Sequence, residues 1–308
     1  MIKTNKLTKK FGDLIAVDRL SLDIAEGEVF GFLGPNGAGK TTTVRMLASL
    51  ITPTSGQATV MNFALGQADQ EIRRNVGILT ETPGMYDRLS ALKNLNIYAR
   101  LYEVSDVVGQ VEKYLRMLGL WERRNDPAGT FSKGMKQKLA IARALLHEPR
   151  ILFLDEPTAG LDPEAAKLVR DFVSELRGEG RTIFLTTHNL DEADRLCDRI
   201  GVFKSTLRVV DTPAGLRRQL YGRQVVFHLA ETAETYLPTL DDLPYLKNVQ
   251  AIDNKLLVAL DEPEAHNPNM IRLLVDAGAD IHFVGEIRHS LEDVYLQLVN
   301  NEAKEDHD

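Results

Sequence analysis

The chain has 308 residues, 44% hydrophobic and 26% charged, which suits a globular protein with room for two domains. A formal net charge of −7 and a pI near 5.6 argue against a dedicated nucleic-acid binder, so no nucleic-acid partner is expected. With Cys197 as the only cysteine, intramolecular disulfides and cysteine-cluster metal sites are excluded.

No apolar stretch follows Met1-Ile2-Lys3, so no signal peptide is expected, and apolar runs such as Ile151 to Leu154 are too short to cross a bilayer. Early antiparallel strands are predicted at Ile2 to Thr8, around Leu20 to Ile24 and at Gln57 to Met61. A short buried strand is predicted at Glu28 to Leu33, followed by a helix from Thr42 to Ala48. Helical patterns occupy Leu92 to Tyr102, Val108 to Leu118, Lys133 to Leu146 and Pro163 to Arg177. Between them, Ile151 to Leu154 and Thr182 to Thr186 read as buried parallel strands, and Arg199 to Phe203 with Leu207 to Val210 as a closing pair. Cys197 ends a helical run from Asp191 and reads as a small buried apolar side chain.

A helix is predicted to begin near Thr212-Pro213, and the character of the chain changes after Tyr221. Strand Gln224 to Leu229, a short helix at Thr232 to Leu237 and strand Val249 to Ile252 come next. Asp253-Asn254 then turns into strand Lys255 to Leu260. Helix Met270 to Ala277, strand Ile281 to Gly285 and helix Leu291 to Val299 complete a small βαββαβ unit with a terminal helix. The acidic tail Asn300 to Asp308 is expected to be disordered.

Gly34-Pro35-Asn36-Gly37-Ala38-Gly39-Lys40-Thr41 fits G-x-x-x-x-G-K-[ST]. Its glycines allow successive N–H groups to face one concavity where phosphate oxygens can sit. Lys40 would add positive charge at the β- and γ-phosphates and Thr41 a hydroxyl ligand for Mg²⁺. The following helix would present its N-terminal dipole. This pattern, between a strand and a helix, predicts nucleoside triphosphate binding. Ile151-Leu152-Phe153-Leu154-Asp155-Glu156 is a buried strand emerging in two carboxylates, one suited to a Mg²⁺ shell and the other to polarising water. His188 follows the next strand, in Thr186-Thr187-His188-Asn189.

These segments, with Pro157 to Pro163 between them, resemble the nucleotide-binding subunits of ABC transporters over roughly residues 1 to 220. The resemblance implies an α/β P-loop NTPase of ABC type. It would have a mostly parallel core sheet, an antiparallel β subdomain and a helical subdomain, with residues 221 to 308 forming a small accessory α+β domain. It implies ATP and Mg²⁺, the nucleotide held by Gly34 through Thr42 (Walker A) and the metal by Thr41 and Asp155. Glu156 would be the catalytic carboxylate of Walker B, His188 the switch histidine, and Asp162 of Ala159-Gly160-Leu161-Asp162 a nucleotide-proximal D-loop residue. Phe11 matches the aromatic that stacks on adenine, usually tyrosine; the alternative is a core aromatic with no ligand contact.

Two motifs depart from the family pattern. The signature L-S-G-G-Q appears as Phe131-Ser132-Lys133-Gly134-Met135, retaining Ser132 and Gly134 at the head of a helix. In the Q-loop, Glu81 stands where glutamine is usual. There it would be an acidic group near the metal and the attacking water, counted with both the catalytic and the metal-binding residues.

In the family two such domains pair head to tail, each ATP lying between Walker A of one and the signature of the other. One copy of each motif here implies a second nucleotide-binding domain, from an identical or related subunit. Transport implies separate integral-membrane permease subunits, met through Thr82 to Leu95, and hence a place on the cytoplasmic face of a membrane. A single domain, Thr80 to Gly84 and the ending Ser290-Leu291-Glu292-Asp293-Val294-Tyr295 resemble the drug- and antibiotic-resistance exporter ATPases. Two other readings are a membrane-independent ABC-type ATPase and a regulatory module without turnover. The duplicated domains or inserted coiled coils of ribosomal and chromosomal forms are missing from this sequence, while Lys40, Asp155, Glu156 and His188 favour turnover.

Overall fold

The computed structural model describes residues 1–300 other than 81, 83, 242, 288 and 289, with backbone alone at 220 and 296–300. Glu81 and the tail beyond Asn300, expected to be disordered, therefore lie outside the described residues.

The chain divides into two compact units, Met1–Thr212 and Pro213–Asp308. The break thus precedes the helix at Pro213 instead of following it. The first unit begins with β1 (Ile2–Phe11), β2 (Leu14–Ile24), β3 (Val29–Leu33), α1 (Lys40–Leu47), β4 (Ser55–Val60) and β5 (Phe63–Ala64). Next come α2 (Asp69–Asn75), β6 (Val76–Leu79), α3 (Ala91–Leu101), α4 (Val107–Met117), α5 (Lys133–Leu145) and β7 (Ile151–Asp155). It closes with α6 (Pro163–Gly178), β8 (Thr182–Thr187), α7 (Leu190–Leu196), β9 (Arg199–Lys204) and β10 (Thr206–Asp211).

The core sheet has the order β10-β9-β3-β8-β7-β6, parallel except for the β10–β9 pair at its edge. Its central strands β3, β7 and β8 are buried at every position, as short apolar runs covered on both faces must be. Phe32 lies with its ring centroid 4.4 Å from Phe203 and 5.2 Å from Phe184, and Phe184 lies 5.8 Å from Phe153. These aromatic contacts brace the strands whose C-terminal ends carry the site. Cys197 is buried against Gly31, where a Cβ would meet its Sγ at 2.7 Å, and burial pushes its thiol pKa up. The second sheet, β2-β1-β4-β5, is antiparallel. Helices α3, α4 and α5 pack on one another, with Ser90, Asp106 and Ser132 capping their N-termini.

β1 and β2 extend beyond the expected spans and meet at Phe11 and Leu14 across Gly12-Asp13, where Gly12 takes φ +58°. The charged and exposed residues near the hairpin tip conceal it from hydrophobic patterning.

The second unit comprises α8 (Pro213–Tyr221), β11 (Arg223–Leu229), α9 (Leu237–Leu240), β12 (Leu246–Ile252), β13 (Lys255–Leu260), α10 (Pro263–Asp276), β14 (Ile281–Glu286) and α11 (Leu291–Asn300). Strands β11 to β14 form one antiparallel sheet in the order β12-β13-β11-β14. Its core contains Phe227, Val258, Met270 and Leu274. Helix α10 starts at Pro263, well before the expected Met270, and continues through Pro268. Proline suits the first turn, where its missing N–H is no loss, whereas Pro268 reads as a breaker in sequence.

Candidate active site

The phosphate loop lies between β3 and α1. Gly34 is in contact with the sheet: a Cβ there would sit 2.1 Å from the Phe203 carbonyl oxygen. Gly39 has φ +100°, and its Cβ would meet the Ala16 carbonyl oxygen at 2.1 Å. Both clashes involve backbone, so residues with side chains cannot fit without moving a strand or the loop. Gly39 also N-caps α1 without a side-chain hydrogen bond, and no acid occupies the first turn. The helix start therefore presents backbone donors and positive dipole uncompensated by a side-chain cap.

Lys40 is 6% exposed, and its Nζ donates to the carbonyl oxygens of Gly34 at 2.7 Å and Pro35 at 3.2 Å. The same nitrogen lies 3.1 Å from Glu156 Oε1, an ion pair without aligned hydrogen-bond geometry. His188 Nδ1 lies 2.8 Å from Glu156 Oε2. Two residues far apart in sequence thus converge on the Glu156 carboxylate. Glu156 adopts φ +50°, a left-handed conformation unusual for a non-glycine residue, and its N–H is held by the Thr186 carbonyl at 3.0 Å.

Asp155 closes β7 and is 3% exposed; Thr186 Oγ1 donates to its Oδ1 at 2.5 Å. Phe11 is 51% exposed at the end of β1, so it is not a core aromatic. It lines a cleft of about 370 Å³ with Leu14, Ala16, Pro35, Asn36, Gly37, Ala38, Gly39, Lys40, Thr41, Thr42 and Glu156. Lys9 Nζ stands 5.1 Å from the centre of the Phe11 ring.

Ser132, Gly134 and Asp162 do not line this cleft. Ser132 caps α5 by accepting from Met135 N at 3.2 Å, Gly134 faces Ala165, and Asp162 caps α6 by accepting from Ala165 N at 2.8 Å. They form a separate group at the heads of two helices, with Gly134 buried. There Lys133 Nζ donates to the Ala159 carbonyl at 2.9 Å, and Gln137 donates to the Pro157 carbonyl at 2.7 Å.

Sequence reasoning missed Leu14, Ala16, Thr186, Gln137 and Glu192. Gln137 left a usable signal, a polar residue at helical spacing with buried Ala140, Ile141 and Ala144. Glu192, 2% exposed on α7, left none, because an acid in a first helical turn ordinarily faces solvent. Burial pushes its carboxyl pKa up.

The family model for ABC transporters matches residues 17–159. The bacitracin transport ATP-binding protein of Bacillus licheniformis is 34% identical, covering 97% of both chains. The Nod factor export ATP-binding protein I of a Rhizobium species (strain N33) is 32% identical over 96% of both. Among solved structures, a dimeric post-hydrolysis ATP-binding cassette bound to ADP and Pi aligns with a TM-score of 0.63 and 27% identity, covering 69% of this chain and 98% of that one. The chain belongs to the ABC transporter family, as an ATP-binding and ATP-hydrolysing subunit of the drug- and antibiotic-resistance exporter type.

Proposed function

We propose that this subunit drives export through separate membrane-spanning permease subunits, working as a pair of ATP-binding domains with composite sites. The observation that carries the catalytic part is the convergence of Lys40, Glu156 and His188 at the end of the core sheet. Phosphate oxygens entering the loop compete with Glu156 for Lys40. Once released from that ion pair, Glu156 accepts a proton from water, while His188 holds its other oxygen and fixes the carboxylate plane. Phe11 offers a π-face to adenine at the open end of the cleft.

The donor set fits Mg²⁺. Among the described residues no three His, Cys, Asp or Glu side chains converge into a metal cage. Thr41 and Asp155 instead supply two hard oxygen donors for an ion that takes its other ligands from phosphate and water. Bound there, Mg²⁺ would neutralise charge on the β- and γ-phosphates. Glu81 is the sequence's further candidate for this shell.

Ser132, Gly134 and Asp162, which stand apart from the cleft, serve the second domain's nucleotide. The accessory second unit stabilises the pair and binds no ligand of its own. No helix among the described residues is long and apolar enough to cross a membrane, so translocation falls to other subunits. Their docking region is Thr82 to Leu95. There the buried Asn94 donates to the carbonyls of Tyr86, Leu89 and Ser90 and accepts from Tyr86 N, which leaves the Tyr86 ring exposed. Relatives named for bacitracin transport and for Nod factor export support a transport role, the latter in the outward direction, for a cytoplasmic subunit.

Glu156→Gln tests the reading: with ATP it accumulates a dimer on size-exclusion chromatography, and wild type copurifies with an integral-membrane protein. A monomeric variant, or wild type with no membrane partner, overturns the corresponding half.

A further inference from the structure

Glu192 belongs to none of the motifs above, yet it touches both segments that carry the proposed catalytic pair. It lies in the first turn of α7, and its carboxylate is buried behind the C-terminal ends of β7 and β8. One oxygen, Oε2, accepts the hydroxyl of Thr158 at 3.1 Å and that of Thr187 at 3.1 Å. Thr158 stands two residues after Glu156; Thr187 immediately precedes His188. The Thr187 hydroxyl also accepts from Asn189 N at 3.0 Å, and Asn189 Oδ1 accepts from Glu192 N at 3.1 Å, which locks the turn carrying His188 onto α7.

We propose that Glu192 is a positioning residue for hydrolysis, a single buried acceptor that sets the separation of the Glu156 and His188 loops. The proposal rests on the catalytic reading of Glu156 and His188. The β7–β8 pairing ends at Asp155 and Thr186, so beyond it the two loops are held together by individual contacts and not by a strand ladder. Thr186 ties the Glu156 backbone to β8 through its carbonyl oxygen and, at 3.2 Å, its hydroxyl. Glu192 supplies a second tie further along the same loop. With both in place, Glu156 Oε2 and His188 Nδ1 meet at 2.8 Å although Glu156 holds a strained backbone conformation. The other carboxylate oxygen, Oε1, has no hydrogen-bond partner among the described residues, so one oxygen alone does this work. The required property is an acceptor at that point, not a negative charge.

That distinction sets the test. Glu192→Gln keeps one oxygen for both hydroxyls and places its amide where no partner is lost, whereas Glu192→Leu removes the acceptor and strands two donors. Steady-state phosphate release should fall at least about tenfold in kcat for Glu192→Leu, and stay within about twofold of wild type for Glu192→Gln. The Kd of a fluorescent ATP analogue should change by less than about twofold in both, because neither touches the phosphate loop. Thr158→Val deletes one donor, and Thr187→Val deletes one donor together with the acceptor of Asn189 N, neither leaving a buried charge unpaired; each should lower kcat by about three- to tenfold, and Thr158→Val, the cleaner of the two, carries the test if Glu192→Leu does not fold. Equal losses in Glu192→Gln and Glu192→Leu, or valine variants with wild-type kcat, overturn the proposal. If Glu156→Gln is inactive while Glu192→Leu and both valine variants turn over normally, this inference alone fails. Normal turnover by Glu156→Gln sinks the catalytic reading beneath it.

Discussion

Replacing Gly39 by alanine probes how far the phosphate site depends on one backbone conformation. At φ +100° an L-residue is strained, by about 1–2 kcal/mol for a left-handed conformation. The new methyl would also sit 2.1 Å from the Ala16 carbonyl oxygen and 3.2 Å from the Phe203 ring. Ala16 is in β2, whose neighbour Val17 pairs with Lys9, so the strand cannot retreat without breaking the hairpin. Forcing an extra group into packed surroundings adds about 1–3 kcal/mol, for a total of about 2–5 kcal/mol. Gly66→Ala is the control: φ is +82° but nothing lies within 4 Å, so only the conformational part applies. At about 2–4 °C per kcal/mol, Gly66→Ala should lower Tm by about 2–8 °C and Gly39→Ala by about 4–20 °C. ATP at a hundred times its Kd should stabilise wild type and Gly66→Ala by about 2.7 kcal/mol, seen as a rise in Tm that Gly39→Ala lacks. Differential scanning fluorimetry with and without ATP reads both quantities. Matching melting temperatures and ATP responses in the two variants would refute the steric argument.

Phe11→Ala should weaken ATP binding by about 1–3 kcal/mol, with Phe11→Tyr tolerated; unchanged affinity in equilibrium titration would remove the ring from the adenine site. His147, stacked on Tyr102 at 4.1 Å and bonded through Nε2 to the Val76 carbonyl, is kept neutral by burial, which lowers its pKa from the ordinary 6.5. A depressed folded-state value means that the unfolded chain binds the extra proton first, so this contribution is complete above pH 6.5 and lost as pH falls below it. Chemical denaturation of His147→Gln should therefore give a flatter stability profile between neutral and acidic pH than wild type, and parallel profiles would contradict this. Glu81→Gln should keep activity and lower the Mg²⁺ concentration for half-maximal hydrolysis, since in the Q-loop role an acid would repel the γ-phosphate and Glu156. Identical Mg²⁺ curves would place Glu81 outside the site.

Local sequence made much of the fold legible. Short apolar runs such as Ile151 to Leu154 mark strands buried on both faces, and the glycine spacing before Lys40 marks the phosphate loop without reference to any contact. The Asp253-Asn254 turn and its flanking strands were readable for the same reason, because adjacent residues set them. What stayed hidden depends on distant chain segments. Nothing near Lys40 announces its ion pair with Glu156, and nothing near Glu192 announces two threonines, one from the turn after β7 and one from the end of β8. The β1–β2 hairpin tip lacks hydrophobic alternation because Phe11 and Leu14 are exposed there, where they line the cleft. Pro268 conceals the first turns of α10 because its missing donor reads locally as a break, while Pro263 sets the helix start.

In the proposed mechanism Glu156 activates water while Lys40 and the phosphate loop bind the nucleotide. Steady-state phosphate release at saturating ATP and Mg²⁺, measured on Glu156→Gln beside an ATP titration of the same variant, tests it most directly. ATP affinity should stay within about twofold of wild type and turnover should fall by about a hundredfold or more, the scale of a lost general base. Near-normal turnover with intact binding would contradict it.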